Sequence, residues 1–311
     1  MSPPPRLRHT FGPPIVVESE TSVKAGNGKN AEALTITWSD LPGWMKDNEY
    51  ILRGYRRLVW RACAVSVFGY LHNETVNIHS HLEAALVFIW FLCTFDSAHL
   101  STYQSVSWAD YAVFVIFLSS AVFCLFGSAL FHMSTAHSEE VSARCHAFDY
   151  SGIIVLTVGS FYPCIYYGFY CEVHFQATYL TLITLAGLGA AYIVLNPEYA
   201  KPTHRGARTK VFIALGLCSI LPVTHAFNSH GFDPLCREMG FRWLLASGAL
   251  YIGGALLYAN RIPERLAPGK FDYFFASHQI FHFCVVLAAL AHYACVLTAF
   301  EHWHSRVGVC L

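Results

Sequence analysis

The sequence predicts an all-α membrane protein that crosses the bilayer seven times. Its 311 residues are 55% hydrophobic and only 13% charged, whereas about 25% of the residues in a soluble domain are charged. Seven apolar runs recur along the chain, and each approaches the roughly 20 residues that a helix needs to cross a bilayer. Basic residues concentrate in alternate connecting segments, which is typical of a multi-pass protein. Together these observations argue against a single water-soluble core.

Two segments precede the apolar runs. Residues 1–36 include the stretches MSPPPRLRHTFGPP and KAGNGKN. We expect a disordered cytosolic tail there, because so little apolar surface does not offset the entropy of ordering, and we find no signal-peptide pattern. Residues 37–77 mix Trp and Tyr with charged side chains. We expect them either to lie along the membrane interface, which favours these aromatics, or to form a linker with a short docking helix.

Residues 78–300 are predicted to form one membrane domain of seven helices. The helices follow the apolar runs, which are Ile78–Phe95, Trp108–Phe131, Tyr150–Tyr170, Phe175–Leu195, Val211–Phe227, Phe241–Tyr258 and His278–Phe300. Gly and Pro within such runs are tolerated in a membrane helix. The fifth run is the least regular because Pro222 and His225 lie near its end. Residues 301–311 are predicted to form a short tail on the outer side.

The charges of the loops predict a cytosolic N-terminus and a C-terminus outside. The second, fourth and sixth loops together carry eight Lys or Arg residues, whereas the first, third and fifth carry two. The side with the excess of basic residues is the cytosolic side. This orientation is opposite to that of G-protein-coupled receptors, whose DRY and NPxxY motifs the sequence lacks. We therefore predict an integral multi-pass protein of the plasma membrane or an endomembrane, outside that receptor class.

Net charge and cysteine spacing argue against two further classes. Lys plus Arg and Asp plus Glu number 20 each, so the chain offers no basic surface for nucleic acid, and we predict no nucleic-acid partner. The 11 cysteines include no CxxC pair and mostly occur inside or beside apolar runs. This pattern is neither a disulfide framework nor a thiolate zinc site. We expect most of the cysteines to be small buried hydrophobes.

Four residues near the ends of three predicted helices form a candidate metal site. His278 and His282 are spaced i,i+4, so both imidazoles lie on one helix face and are able to share a metal ion. Taken alone, the pair also fits two interfacial histidines that bind carbonyl groups or water. His132 ends the second run and Asp149 lies at the start of the third. The predicted topology brings all four to one depth, at the cytosolic ends of their helices.

This set of side chains matches a catalytic Zn²⁺ site, in which three neutral imidazoles leave a fourth position open. Asp149 is the candidate to ligate the metal or to hold its bound water. Ser128 lies one turn deeper than His132, where its hydroxyl is able to bind the water or a substrate carbonyl group. A hydrogen bond to its own i−4 carbonyl is the alternative for Ser128. A site at this depth favours lipid hydrolysis, because the acyl chain stays within the apolar bundle.

Three further histidines, His72, His79 and His81, cluster around the start of the first run. The sequence indicates no obvious route by which the first and seventh helices combine them with the candidate metal site. We therefore expect structural or capping roles for all three.

Six motifs make the chain resemble the progestin and adipoQ receptor family, which includes adiponectin receptors, fungal zinc-homeostasis proteins and bacterial haemolysin III proteins. The motifs are LPGWMKDNEYILRGYR, LHNETVNIHSH, SALFHMSTAHSEEVSARCHAFDYSG, GSFYPCIYYGFYC, LYANRIPERLAPGKFDYFFASHQIFH and VVLAALAHY. They extend over roughly residues 41–293. The resemblance implies a Zn²⁺ ion bound by His132, His278 and His282, with Asp149 contributing through bound water and Ser128 nearby.

The same resemblance implies an N-in, C-out seven-helix fold. By analogy with the adiponectin receptors, it also implies ceramidase-like activity with Asp149 as general base, linked to lipid signalling and to zinc or sterol homeostasis. The expected substrate or ligand is a lipid, namely ceramide, a fatty acid or a sterol, and the sequence identifies no protein ligand. Two alternatives stay open. One is a receptor in which zinc is structural, and the other is a haemolysin III-type channel, which requires a continuous polar path.

Overall fold

The computed structural model describes residues 34–58, 60–196 and 204–306. Most of the predicted N-terminal tail, residues 1–33, and residues 307–311 of the predicted outer tail lie outside the described residues. The described chain forms ten α-helices and one pair of short strands. The strands are β1 (Thr35–Ile36) and β2 (Tyr55–Arg56), and the helices are α1 (Trp60–Gly69), α2 (Thr75–Ala98), α3 (Trp108–Ser134), α4 (Glu139–Gly168), α5 (Val173–Val194), α6 (Arg205–Leu217), α7 (Ile220–His230), α8 (Phe232–Glu238), α9 (Phe241–Asn260) and α10 (Ser277–His304).

Seven helical segments of the described chain are long and apolar enough to cross a membrane. They are Thr75–Thr102, Trp108–Ser134, Glu139–Gly168, Val173–Val194, Gly206–His230, Phe241–Leu266 and Ser277–His304. Each overlaps one of the seven predicted runs. The predicted all-α, seven-span membrane fold is therefore confirmed, and with it the integral multi-pass location.

The third span begins earlier than its apolar run suggests. Helix α4 starts at Glu139, three turns before Tyr150, because a capping residue rather than an apolar residue defines its beginning. The Ser138 hydroxyl accepts a hydrogen bond from the backbone N–H of Val141. The carboxylate of Glu139 in the first turn also interacts favourably with the helix dipole. As a result, Asp149 lies well inside a continuous helix instead of at its start.

The fifth span is interrupted. It consists of α6 and α7, which are separated at Cys218 and Ser219. Pro222 explains the break, because it has no N–H to donate to the carbonyl group of Cys218, four residues earlier, and its ring crowds that carbonyl. The irregularity that the sequence predicted near Pro222 is thus a break between two helices within one span.

Helix α3 packs between α2 and α4, and its contact with α4 is especially close. A Cβ atom added to Gly152 of α4 would lie 2.8 Å from the Cα atom of Cys124 on α3. Small residues at membrane-helix interfaces allow the backbones to approach in this way. The approach brings Ser128 of α3 next to Asp149 of α4, so that the hydroxyl and the carboxyl group interact.

The N-terminal segment, residues 34–58, packs against the loop that joins α9 to α10. Within the segment, β1 pairs antiparallel with β2. The backbone N–H of Leu52 donates a 2.7 Å hydrogen bond to Asp272 of the loop. The N–H of Gly269 in the same loop donates to the carbonyl group of Tyr50 over 2.9 Å. Residues of the predicted interfacial segment are therefore an integral part of the folded domain.

Arg56 connects the N-terminal segment to the end of α3. Its buried guanidinium donates hydrogen bonds to the carbonyl groups of His132 and Met133 and to the hydroxyl group of Thr135. The last carbonyl groups of a helix lack partners within the helix. Arg56 therefore caps the turn of α3 that carries His132, one of the predicted metal ligands.

One cysteine departs from the predicted pattern. Cys171, shortly after the end of α4, is disulfide-bonded, so it is not one of the cysteines that act as small buried hydrophobes. Spacing rules detect dense cysteine frameworks and do not identify an isolated bond. Among the free cysteines of the described chain, Cys124 and Cys295 are buried as expected, five others are half-buried, and Cys93 and Cys218 are exposed.

Candidate metal centre

Three histidines converge at one end of the bundle, which we call the histidine end. His132 lies in the last turn of α3, and His278 and His282 lie in the first two turns of α10. One ligand atom from each lies within 4.8 Å of those of the other two. His132 and His282 are buried, with 3% and 2% of their surface exposed. The predicted trio is therefore assembled, and the structure provides a buried group that could hold a metal ion.

The distances between the nitrogen atoms fit a shared metal ion. The Nε2 atom of His278 lies 3.1 Å from Nε2 of His132 and 3.2 Å from Nε2 of His282. Two imidazole ligands at about 2.05 Å from a tetrahedral Zn²⁺ ion have nitrogen atoms about 3.3 Å apart. The observed separations agree with this geometry to within a few tenths of an ångström.

The opposite edges of two imidazoles are bound to acceptors. Nδ1 of His132 lies 2.7 Å from a carboxylate oxygen of Glu74, and Nδ1 of His282 lies 3.1 Å from the carbonyl oxygen of Asn77. Because these oxygens only accept hydrogen bonds, each Nδ1 atom carries the proton and each Nε2 atom keeps its lone pair. Two lone pairs therefore point at the third histidine, His278. This donor set fits a metal ion such as Zn²⁺.

Asp149 and Ser128 lie beside this group. Both line the same cavity as His278 and His282, and the Ser128 hydroxyl lies beside the Asp149 carboxyl group. Asp149 is not among the ligand atoms that converge within 4.8 Å. This position suits contact with a water molecule or substrate at the metal more than membership of the ligand set.

A cavity of about 540 Å³ adjoins the histidine end. Its walls come mainly from α4, α6, α7, α9 and α10, and apolar side chains predominate along it. It extends from His278 and His282 toward Met239 and Ala299, near the other end of the bundle. The polar and charged side chains at its histidine end include His81, Ser128, His146, Asp149, Tyr150, Arg208, Tyr258, His278 and His282. The cavity therefore has a polar end and a long part in which apolar side chains predominate.

One known protein family matches most of this bundle. The family described as "Haemolysin-III related" matches residues 69–293, which is more than half of the chain. The chain belongs to the haemolysin III-related family. The matched range includes all five predicted site residues.

Three relatives of this haemolysin III-related chain are informative. It is 35% identical over 292 residues to the ADIPOR-like receptor IZH2 of Saccharomyces cerevisiae, covering 93% of this chain and 91% of that protein. It is 36% identical to Progestin and adipoQ receptor-like protein 1 of Caenorhabditis elegans, covering 89% of this chain and 65% of that protein. It is 38% identical to the Adiponectin receptor protein of Drosophila melanogaster, covering 82% of this chain and 57% of that protein.

The chain thus spans less than two thirds of the worm and fly proteins, and nearly the whole yeast protein. The resemblance to the progestin and adipoQ receptor family is confirmed.

The haemolysin III-related chain uses two residues at this site that the sequence analysis missed. Glu74 binds the outer edge of His132, and the side-chain amide of Asn77 donates a 2.7 Å hydrogen bond to Glu74. Partners of this kind fix the orientation of metal-ligating imidazoles. The sequence did contain one signal for Glu74, namely a carboxylate inside the motif LHNETVNIHSH, immediately before an apolar run.

The remaining histidines of that motif divide into two groups. His72 and His79 bind carbonyl groups of α1, over 3.2 Å to Ser66 and 2.8 Å to Val67. These contacts are structural. His81 instead stacks on His282, with ring centroids 3.7 Å apart and planes 10° apart. The expectation that the first and seventh helices offer no route to one site is therefore wrong for His81, because α2 and α10 pack together at the histidine end.

Burial also affects the protonation of His72. Its imidazole is fully buried, and this burial together with the nearby Arg56 charge lowers the pKa of His72 from 6.5 to about 4. Its Nδ1 atom accepts a hydrogen bond from the backbone N–H of Glu74, so the neutral ring is the form that fits. The neutral ring of His72 thereby helps to fix Glu74 beside the metal centre.

Proposed function

We propose that this protein hydrolyses a lipid amide of the ceramide type at a Zn²⁺ ion held by His132, His278 and His282. The observation that supports this most strongly is the convergence of three imidazole nitrogens at the polar end of a long apolar cavity. A structural zinc site normally has four protein ligands. Three ligands leave a position for a reacting group, which favours catalysis over a purely structural ion.

The shape of the cavity supports a lipid substrate. Ligand pockets usually measure about 300–1,000 Å³ and combine apolar walls with a few polar groups, and this cavity of about 540 Å³ has both. The acyl chain would lie among the apolar side chains between α4, α9 and α10. The scissile amide would then lie at the histidine end, near Asp149 and Ser128.

Each side chain has a distinct role in this reaction. A Zn²⁺ ion bound by three imidazoles supplies Lewis-acid polarisation of the carbonyl group and activation of water. Asp149 accepts the proton of the attacking water as general base and delivers it to the amide nitrogen as the C–N bond breaks. Ser128, whose hydroxyl lies beside the Asp149 carboxyl group, holds this group in position. One amide and one water are converted to one fatty acid and one sphingoid base.

We further propose that hydrolysis serves lipid signalling and zinc or sterol homeostasis. The names of the yeast and fly relatives include the word receptor, which supports a signalling role. A non-catalytic receptor with a structural zinc ion is the competing function. It predicts the same bound metal but no released product.

The deciding experiment measures zinc and product on the same detergent-purified samples. Wild type is compared with the His278→Ala, His282→Ala double variant by elemental analysis and by fatty-acid release from ceramide. The matched control is His230→Ala, which removes an exposed histidine of α7. We expect one zinc per chain and fatty-acid release in wild type and control, and neither in the double variant.

Other outcomes lead to other conclusions. Zinc without release in wild type would support the non-catalytic receptor. Absence of zinc from wild type would reject both functions. Ion conductance in liposomes that survives His282→Ala would instead support the channel.

A further inference from the structure

Several buried polar atoms of the described chain lack a hydrogen-bond partner. They are Oδ1 of Asn77, both ring nitrogens of His81, the hydroxyl group of Tyr150, Nε of Arg261 and Oε1 of Gln279. Buried polar groups in proteins nearly always have partners. In this set, His81 and Tyr150 line the cavity beside the metal centre, so a molecule within the cavity is able to supply the missing partners.

His81 is the stronger indicator of what this molecule is, because neither of its two ring nitrogens has a hydrogen-bond partner in the described chain. Only 3% of its surface is exposed. Its ring is fixed against His282 by a parallel stack with centroids 3.7 Å apart. It also lies one turn after Asn77, whose carbonyl group binds His282. Any group that binds His81 therefore lies immediately beside the metal ligands, where the polar head of a bound lipid would be.

The chemistry of the imidazole limits the class of group. A neutral imidazole has one N–H donor and one lone-pair acceptor. A hydroxyl group donates and accepts, so it pairs with whichever nitrogen it reaches, in either tautomer. An ester oxygen or a carbonyl oxygen pairs only with the protonated nitrogen. Hydroxyl groups near the scissile carbonyl are therefore the best complement to this residue.

We propose that His81 binds a hydroxyl group of the lipid head and thereby selects hydroxylated lipid amides over amides without hydroxyl groups. The proposal rests on the proposed function only in placing the lipid head at the metal centre. His81 is a specificity residue, because it touches the substrate without taking part in bond breaking. A purely structural role, in which the ring only supports His282, is the competing explanation.

Two variants separate these explanations. His81→Phe keeps a planar ring to stack on His282 and removes both nitrogens. His81→Gln keeps one donor and one acceptor in a side chain of similar reach. The matched control is His79→Phe, two residues away on the same helix, because His79 binds the carbonyl group of Val67 and does not line the cavity.

The experiment measures binding and zinc in detergent-purified protein. Dissociation constants are determined by competition for N-palmitoyl sphingosine and for an N-alkyl palmitamide of equal chain length without hydroxyl groups. We expect wild type and the control to prefer the hydroxylated amide by about 10-fold or more. His81→Phe should lose this preference while keeping one zinc per chain, and His81→Gln should recover part of it.

The results that would overturn the proposal are equally specific. Equal affinity of wild type for both amides, or an unchanged preference in His81→Phe, rejects hydroxyl selection. Loss of zinc from His81→Phe assigns the residue to support of His282. Fatty-acid release is measured in parallel and tests a different claim. If the preference for the hydroxylated amide depends on His81 but no fatty acid is released, the inference stands and hydrolysis is rejected. If fatty acid is released but there is no such preference, hydrolysis stands and the inference is rejected.

Discussion

Glu74 and His132 form a 2.7 Å carboxylate–imidazole pair that joins the start of α2 to the end of α3. The pair sets the tautomer of His132 and directs its Nε2 lone pair toward His278 and His282. Asn77 holds the carboxylate from the same helix. The candidate metal centre therefore depends on three helices, although its candidate ligands come from only two.

Weakening this pair should lower the affinity for zinc. Glu74→Ala removes the acceptor, and we expect a loss of about 10- to 100-fold in zinc affinity, which is typical for such outer partners. Glu74→Gln retains an acceptor oxygen without the charge and should lose less. The measurement is a competition titration with a zinc chelator. Glu83→Gln, at an exposed position of α2, serves as control and should bind zinc like wild type.

Asp149 is predicted to be required for turnover and dispensable for metal binding. Asp149→Asn should retain one zinc per chain, because the three imidazoles remain, and should lose about 10²- to 10⁴-fold in the rate of fatty-acid release. Asp96→Asn removes an exposed carboxylate that binds only Tyr111 in the described chain, and it should leave the rate unchanged. Full turnover by Asp149→Asn would reject its role as general base.

The spans were predictable because the hydrocarbon core requires long apolar segments wherever a helix crosses it. The ends of the helices were not predictable in this way, because caps and tertiary packing determine them. The early start of α4 depends on the Ser138 cap, and the interruption before Pro222 ends one helix and begins another within a single apolar run. Periodicity and hydropathy describe neither feature.

The three histidines of the site were predictable from their spacing and from the alternating direction of the helices. Glu74 was not singled out, because its role follows from how α2 packs against α3 rather than from a spacing along one helix. His81 was misjudged for the same reason, since its contact with His282 joins residues 201 positions apart. Sequence patterns identify ligands on one helix more readily than the partners that orient them.

The pKa of His72 predicts that the protein loses stability in mild acid. Burial and the charge of Arg56 lower this pKa to about 4, against the opposing effect of Glu74. Between about pH 6.5 and 4 the unfolded chain binds a proton at this residue that the folded chain excludes. The contribution of His72 to the free energy of unfolding is thus fully present above pH 6.5. It falls by at most about 3 kcal/mol as the pH decreases toward 4.

Melting temperatures measured across this pH range test the sign and the source of the effect. His72→Gln preserves a donor and an acceptor but does not titrate, so its melting temperature should fall less between pH 6.5 and 4 than that of wild type. His137→Gln changes an exposed histidine and should follow the wild-type curve. Parallel curves for wild type and His72→Gln would contradict the assignment.

The orientation of the bundle is predicted by two independent features. Eight basic residues lie in the even-numbered loops and two in the odd-numbered loops, which places the N-terminus in the cytosol. Cys171 is disulfide-bonded and follows the C-terminal end of α4, away from the histidine end. Disulfides form in oxidising compartments, so this end should face away from the cytosol. Water would then reach the metal centre from the cytosol.

Inserted glycosylation sites test this orientation. An Asn-Gly-Thr acceptor in a Gly/Ser linker after Gln104, between α2 and α3, should be modified in a eukaryotic host. The same insertion after His137, between α3 and α4, should not, because that loop lies at the histidine end. The native acceptor sequence Asn73-Glu74-Thr75 also lies there, so the wild type should carry no glycan. Modification of the second insertion and not of the first would contradict the predicted orientation. It would indicate that the metal centre lies on the outer side.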